Sequence, residues 1–422
     1  MSTNVSRTEE SEGLVEKGVM RLEWAREHMP VLAAVREELK QSGVLRGKKI
    51  SMALHVEAKT GILALTLREA GAKVRLASCN PLSTDDSVAA ALREKYGLEV
   101  FARKGETKEE YYENLNRVLD LGPDIIIDDG TDMISLAHTD RRDALADVIG
   151  ANEETTTGII RLRAMASEGK LEFPVMDVND ARMKHFFDNR YGTGQSTFDG
   201  LMTATNLQIS GKRFVVAGYG WCGRGIAMRA RGLGARVCVT EVDPIKAVEA
   251  RMDGFDVMPM ERAVEDADFI VTATGCKHVV DGRHFEKIKD RCVLANAGHF
   301  NNEINIGFLE KHAVSRRKAR EYVEEYVLPG GKKVYVVAEG RLVNLAVGQG
   351  HPVEIMDLSF SIQALSAAYI VEHHREMENR VYPVPGEIDL KVARLELAAM
   401  GVEIDTLTEE QKRYLSTWQE GT

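Results

Sequence analysis

The stretch FVVAGYGWCGRGIAMRARGLGARVCVTEVDP, residues 214–244, limits what this chain can fold into more than any other. Phe214 to Ala217 predict a buried strand, and Gly218, Gly220 and Gly223 follow in G-x-G-x-x-G spacing ahead of a helical pattern. Gly218 permits the tight turn, Gly220 lets a pyrophosphate approach the backbone, and Gly223 lets the helix pack on the strand. The free N–H groups and positive dipole end of that helix face the phosphates. A second strand, 236–240, delivers Glu241, whose carboxylate suits both adenosine ribose hydroxyls and repels a 2′-phosphate. Strand, glycines, helix, strand and acid in this order predict an NAD site. The glycines alone would also suit a helix-packing turn in another α/β protein.

The rest of the chain repeats the alternation. Residues 13–45 read as helix broken near Pro30, and 50–55, 72–79, 98–103 and 123–130 read as strands with helical segments between them, including 108–121. EETTTG (153–158) opens a further helix, where a Glu and three hydroxyls can simply be capping. A strand follows at 173–180, then the mixed segment 181–196. Beyond the glycine unit, 324–337 reads as a hairpin around Pro329-Gly330-Gly331, and the glycine-rich stretch 340–352 as a crossing back to the first unit. Helices are expected at 357–374, 386–400 and 407–418. The expected fold class is α/β: two doubly wound parallel sheets, both Rossmann-like, with a helical C-terminal segment. Ligands of such sheets bind at the carboxyl ends of the strands, which here carry His55, Asn80 and Asp129 in the first unit. In the second unit they carry 218-GYG, Glu241, 272-TATG-275 and 296-NAGH-299.

Composition narrows the partners. A net charge of −10 argues against a nucleic-acid partner. No apolar run reaches membrane-spanning length, and the polar start MSTNVSRTEESEG has no signal-peptide core. Five scattered cysteines without a C-x-x-C pair fit a reducing cytoplasm. No H-E-x-x-H or Cys/His cluster appears, so no transition-metal site is expected.

A plain dehydrogenase needs one general base, yet His55, Asp129, Glu154, Lys184, Asp188, Asn189, His299 and His351 all fall in segments expected to face one interdomain cleft. Each has a bland reading: Lys184 and Asp188 at i, i+4 suit a surface helix pair, Asp128-Asp129-Gly130 a turn, a strand-end His a structural role.

Taken together, LHVEAKT (54–60), SCNPLSTDD (78–86), DDGTD (128–132), EETTTG, VND…KHFFDNRYGTGQS, VVAGYGWCGRG, TEVDP, NAGHFNNEI (296–304) and AEGRLVNLAVGQGHP resemble the S-adenosylhomocysteine hydrolase family, in order across most of the chain. The resemblance implies tightly held NAD regenerated at each turnover. The substrate's 3′-hydroxyl is oxidised to a ketone, which acidifies the 4′ hydrogen. A base removes it, homocysteine leaves the 5′ carbon, water adds, and the ketone is reduced back. Elementary chemistry agrees, since a thioether leaves readily only from a carbanion beside a carbonyl. By matching motifs, Lys184 with Asp188 would serve the 3′ oxidation, Lys184 being suited to it if the closed cleft lowers its pKa. Asp129 would be the 4′ base, and His55, assisted by His299, would handle the proton at the 5′ position. Glu154 and Asn189 would hold the ribose hydroxyls and orient Lys184. Gln349, Gly350 and His351 would lie at the purine, with Thr60 beside Glu57 and Lys59. Thr155, Thr156 and Thr157 would touch the nicotinamide end, and Asn344 its amide. Gly218, Gly220, Gly223, Glu241, Lys246, Thr274, Asn296, Gly298 and His299 complete the expected NAD set. The implied organisation is a discontinuous substrate domain (1–183 and 353–389), an NAD domain (184–352) and a C-terminal segment (390–422), assembled as a homotetramer.

Four departures from the long animal-type members point to the short archaeal and thermophilic branch. Thr193 stands in place of a Cys, Lys246 replaces an Asn near the NAD ribose, and a C-terminal extension that reaches a neighbour's NAD is expected to be absent. The purine-side segment reads His55-Val-Glu57-Ala-Lys59 instead of His-x-Thr-x-Glu. Lys59 only donates, which suits the 6-oxygen of hypoxanthine, with Glu57 accepting from nitrogen 1. The same pair, shifted, would serve adenine, or the two side chains would simply bind one another. The resemblance therefore keeps S-adenosylhomocysteine as the first expected substrate, with S-inosylhomocysteine a close second. The other classes are an NADH-releasing dehydrogenase, which gives His55 and Asp129 no role, and a non-catalytic NAD sensor.

Overall fold

The computed structural model describes residues 2–419, with side chains from Glu12 onward. The first residues of MSTNVSRTEESEG and the last three of the 390–422 segment fall at or beyond those limits. Two parallel sheets organise the chain. The first comprises β1 (Lys49–Ala53), β2 (Lys73–Ala77), β3 (Glu99–Phe101), β4 (Ile125–Asp128), β5 (Gly150–Glu153) and β6 (Val175–Asp177), joined at its edge by β15 (Val381–Pro383). The second comprises β7 (Arg213–Ala217), β8 (Arg236–Thr240), β9 (Asp256–Val257), β10 (Phe269–Thr272), β11 (Cys292–Asn296), β12 (Ser315–Arg320), β13 (Val323–Val327) and β14 (Lys333–Val337). Their orders are β15-β6-β5-β4-β1-β2-β3 and β12-β13-β14-β11-β10-β7-β8-β9. Six strands of each sheet thus run 3-2-1-4-5-6, the doubly wound order, with its switch point between the first and fourth strands. Only β13 runs against the rest of the second sheet, pairing antiparallel with β12 on one side and β14 on the other at its hairpin edge.

Central strands such as β4 (IIID) and β7 (RFVVA) are buried along their whole length, as a sheet covered by helices on both faces requires. The helix Val353–His373 returns to the first sheet and buries Leu358, Phe360, Ile362 and Ile370 in its core. It also supplies the missing cap of an earlier helix. Pro30–Ser42 has no side-chain cap of its own, and the Asp357 carboxylate accepts from Val31 N at 2.9 Å and Leu32 N at 2.7 Å. The C-terminal helices are Gly386–Ala399 and Glu409–Ser416, so a division at residue 390 cuts through a helix.

Four strands lie where the sequence carries no strand signal. β5 is GANE, four poor β formers held between β4 and β6 by pairing on both sides. β9 has two residues, β12 is the basic run SRRKAR at an edge, and β15 ends in Pro383 at the other edge, a position that tolerates it. The mixed 181–196 segment becomes a helical turn Arg182–His185, a wide π-type turn Asp188–Gly192 and the helix Thr193–Thr205. Gly225, on the helix Trp221–Gly232, lets Arg190 of that wide turn come close, since a Cβ there would lie 1.7 Å from Arg190 O. Gly225→Ala should therefore destabilise the protein by about 1–3 kcal/mol through overpacking, read as a lower urea midpoint; an unchanged midpoint would contradict this packing.

Candidate active site

A cavity of about 1200 Å³ opens between the carboxyl ends of the two sheets. Two polar clusters and a dinucleotide cradle meet in it.

The first cluster centres on Asp129. The turn after β4 puts Gly130 (φ 101°) and Thr131 (φ 69°) in the left-handed region. Gly130 is required there: a Cβ would come within 2.5 Å of Nε2 of His299, which reaches over from the second sheet. His55 Nε2 lies 3.4 Å from Asp129 Oδ2, and His299 Nδ1 lies 3.6 Å from Asp129 Oδ1. Both separations exceed a hydrogen bond and leave the carboxylate open to the cavity. The His55 ring is held through Nδ1, 2.7 Å from Ser83 Oγ. Burial lowers its pKa to about 4 against the opposing pull of Asp129, so the imidazole is neutral at pH 7. Cys79 Sγ sits 3.3 Å from His55 Nδ1, and burial pushes that thiol well above its usual range.

The second cluster centres on Lys184. Its Nζ donates to Asn189 Oδ1 at 2.9 Å and lies 3.4 Å from Glu154 Oε1 and 3.6 Å from Asp188 Oδ2. The wide turn at 188–192 brings Asn189 back onto Lys184. A lowered Lys184 pKa, the expectation from a closed cleft, is not what this environment produces. Burial works against the ammonium, but Asp188, Glu154 and Asp129 outweigh it and raise the pKa. Asp188 is held below its ordinary value: burial is overcome by Lys184, by His351 Nδ1 at 2.7 Å and by Ser359 Oγ at 2.7 Å. Glu154 moves the other way, raised by burial despite Lys184, with Gln363 Nε2 donating to Oε2 at 2.5 Å.

The purine-side pair has closed on itself. Glu57 caps the helix Ala58–Glu69, accepting from Lys59 N at 3.0 Å, Thr60 N at 3.1 Å and Thr60 Oγ1 at 3.2 Å. Its fourth partner is Lys59 Nζ at 2.7 Å, which leaves Glu57 no acceptor for a base. Lys59 Nζ also donates to Gln349 O at 2.9 Å and keeps one N–H for the cavity. Gly350 and His351 line the cavity, whereas Gln349 takes part through its backbone carbonyl alone. The His351 ring is committed to Asp188, Thr193 Oγ1 (3.3 Å) and Asn344 Nδ2 (3.3 Å), so a purine would meet that segment's backbone.

The cradle follows β7. Gly218 (φ 96°) makes the turn, and Gly220 faces open space. Gly223 supports the turn from behind without lining the cavity, as a Cβ there would sit 1.9 Å from Gly218 O. Glu241 is aligned by Tyr219 N at 2.7 Å, Val242 N at 2.7 Å and Asp243 N at 3.1 Å, with Lys246 lining the wall nearby. Thr274 and Gly298 line the cavity too. Asn296 does not: it is fully buried and braces its loop through Gly298 N, Gly298 O, Phe300 O and Gly340 O. Thr155, Thr156 and Thr157 line the opposite wall, and Thr155 makes no side-chain cap, so the capping explanation does not hold for it.

The residues fit a dinucleotide on two counts. An acid waits at the ribose position, and Asn344 Oδ1 is buried without a partner, an acceptor suited to an amide N–H. Four further contributors have no role assigned from the sequence: Cys79 and Ser83, which fall within the SCNPLSTDD motif, and Ser359 and Gln363, which fall in none. The last two lie on Val353–His373, where Ser359, Ser361, Gln363 and Ser366 are all fully buried. Buried polar side chains on an otherwise apolar helix are the signal that could have found them.

Fold and site together define an NAD-binding α/β enzyme in which a second doubly wound sheet brings acid–base groups to the cofactor. Residues 11–146 match the family model described as S-adenosyl-L-homocysteine hydrolase, and 189–350 match the model of that enzyme's NAD binding domain. An adenosylhomocysteinase of Thermoplasma volcanium is 60% identical, covering 96% of this chain and 99% of its own. An S-inosyl-L-homocysteine hydrolase of Methanocaldococcus jannaschii is 59% identical, covering 97% and 98%, and an adenosylhomocysteinase of Aquifex aeolicus 58% with the same coverage. The chain belongs to the S-adenosyl-L-homocysteine hydrolase family and carries its NAD-binding domain.

Glu241→Ala should cost NAD retention about 2–4 kcal/mol through lost ribose hydrogen bonds and loosened cradle backbone. Nucleotide released from denatured protein and identified by mass measures this; undiminished NAD, or NADP in the unaltered protein, would contradict it.

Proposed function

We propose that this chain catalyses the reversible, NAD-dependent hydrolysis of S-adenosyl-L-homocysteine to adenosine and L-homocysteine through a 3′-keto intermediate. The observation that carries this reading is the presence of two separate proton-handling clusters, around Asp129 and around Lys184, in one cavity with the dinucleotide cradle. A dehydrogenase that releases NADH needs only the second.

Gly218, Gly220, Glu241 and Asn344 would hold NAD, which would supply a reversible hydride acceptor for the 3′ carbon. The 3′-hydroxyl proton leaves through Lys184 Nζ to a carboxylate of its cluster while the ammonium charge steadies the oxygen. Asn189 and Glu154 hold Lys184 in line for this. Asp129 takes the 4′ proton and passes it through His55 to the departing sulfur, so that elimination leaves no net charge on the pair. His299 faces Asp129 from the cofactor side, its Nδ1 3.6 Å from Oδ1. The reverse relay adds water at the 5′ carbon.

Lys59 favours a second substrate of the same mechanism, S-inosyl-L-homocysteine. Its one remaining N–H meets an acceptor in the 6-oxygen of hypoxanthine, but a donor in the 6-amino group of adenine, where only ring nitrogen 1 could receive it. Five unpaired cysteines support a cytoplasmic setting, where such a reaction clears the thioether left by methyl transfer in a methyl cycle. No described helix is long and apolar enough to cross a membrane. Exposed Val242, Ile245, Met252 and Trp418 support burial between copies, as in a homotetramer.

Asp129→Asn should still reduce its bound NAD when nucleoside is added while thiol release falls by about 10²-fold or more, and Lys184→Ala should slow the reduction itself. If Asp129→Asn blocked reduction and Lys184→Ala did not, the roles would be exchanged. Lys59→Glu should shift preference toward the adenosyl compound by about 10²-fold, because a mismatched site strands a buried charge. Equal rates on both thioethers before and after the change would remove Lys59 from base selection.

A further inference from the structure

The geometry points to Glu153 as a positioning residue that sets the base Asp129 against the cofactor-facing threonines. This rests on the reaction proposed above and assigns a role to a side chain that does not itself line the cavity.

Glu153 ends β5 and is fully buried. Its Oε1 accepts from Gly130 N at 2.8 Å and Thr155 N at 3.0 Å, and its Oε2 accepts from Thr131 Oγ1 at 2.8 Å. Gly130 and Thr131 are the two left-handed residues that follow Asp129. Thr131, β-branched, holds that conformation only at a cost, and Glu153 bonds both residues of the turn. Thr155 begins the threonine run on the cofactor wall. One carboxyl group therefore fixes the loop that aims the base and the loop that faces the nicotinamide end, and so their separation. Neighbouring groups complete the brace without duplicating it. Asp128, paired with Glu153 across β4 and β5, accepts from Asp129 N at 3.0 Å and Ile134 N at 2.8 Å. Arg161 holds Gly130 O and Asp132 from the outer side. The helix behind is cut away for the same side chain: a Cβ at Gly158 would lie 2.2 Å from the Glu153 carboxyl carbon.

Acid-to-amide exchange separates shape from presence. A glutamine keeps an oxygen for Gly130 N and Thr155 N, and its amide donates to the Thr131 hydroxyl, which turns to accept. Glu153→Gln should therefore preserve the aim of Asp129, while Glu153→Ala releases it. A misplacement on the order of 1 Å costs about 10²-fold in rate.

The test uses full-length, NAD-loaded protein and follows two partial reactions, nucleoside-driven reduction of bound NAD and thiol release from the homocysteine thioether. For Glu153→Ala, reduction should stay within about tenfold of the unaltered protein and thiol release should fall by about 10²-fold. Glu153→Gln should recover thiol release to within about fivefold. Gly158→Ala, which removes no hydrogen-bonding group and displaces the carboxyl from behind, should show the same one-sided loss. The proposal is overturned if both partial reactions fall together, if Glu153→Gln is no better than Glu153→Ala, or if Gly158→Ala leaves the ratio unchanged. Should Glu153→Ala fail to fold, the other two variants decide it. Unaltered protein that neither reduces its NAD nor releases thiol overturns the proposed reaction itself, and the assignment of Glu153 with it.

Discussion

A buried ammonium holds the charge of this cleft together. Lys184 lies among Asp188, Glu154 and Asn189, all nearly removed from solvent, where an unpaired ion would cost several kcal/mol. One positive charge cannot neutralise two buried carboxylates equally, and the surroundings divide them. Asp188, with His351 and Ser359 as further partners, stays ionised. Glu154 is pushed toward its neutral form by burial and by the neighbouring Asp188 and Asp129, against the opposing pull of Lys184 and Gln363. The cluster therefore keeps Lys184 charged beside one ionised and one neutral-leaning carboxyl, and in the proposed reaction that charge steadies the oxygen of the hydroxyl being oxidised.

That cluster works with the other because two sheets of the same topology meet at their carboxyl ends. Each strand order reverses at a switch point, and both switch points open into one cavity. His55 and Asp129 follow β1 and β4, while Gly218 and Thr274 follow β7 and β10. At Gly130 the two units come close, its missing side chain making room for His299. In the proposed reaction the elimination groups are thus drawn from both units, Asp129 from one and His299 from the other.

Much of this was legible before any coordinates. The cradle announces itself because a phosphate-binding turn needs glycines at fixed offsets, and Glu241 because its place after the second strand is equally fixed. His55, Asp129 and Lys184 stood out as polar groups at strand ends or in a segment joining the units. What stayed hidden depends on tertiary context. GANE becomes a strand only because β4 and β6 flank it, so Glu153 at its end had no strand end to be read from. Ser359 and Gln363 sit inside an otherwise apolar helix, and their polar side chains gain a role only once the fold buries them against Asp188 and Glu154. The direction of the Lys184 shift escapes the sequence for a similar reason: a closed cleft suggests burial, but only the fold shows three carboxylates around the ammonium. Glu57 was credited with a free acceptor because its helix cap is a matter of backbone geometry.

The central claim is that hydride removal at one carbon serves proton removal at its neighbour, with the hydride returned internally. Incubating the NAD-loaded protein with adenosine or inosine in heavy water and locating the label by NMR tests it most directly. The account predicts deuterium at the 4′ carbon, none at the 3′ carbon, and no NADH accumulating in solution. Deuterium at the 3′ carbon, an unlabelled 4′ carbon in recovered nucleoside, or stoichiometric free NADH would contradict it.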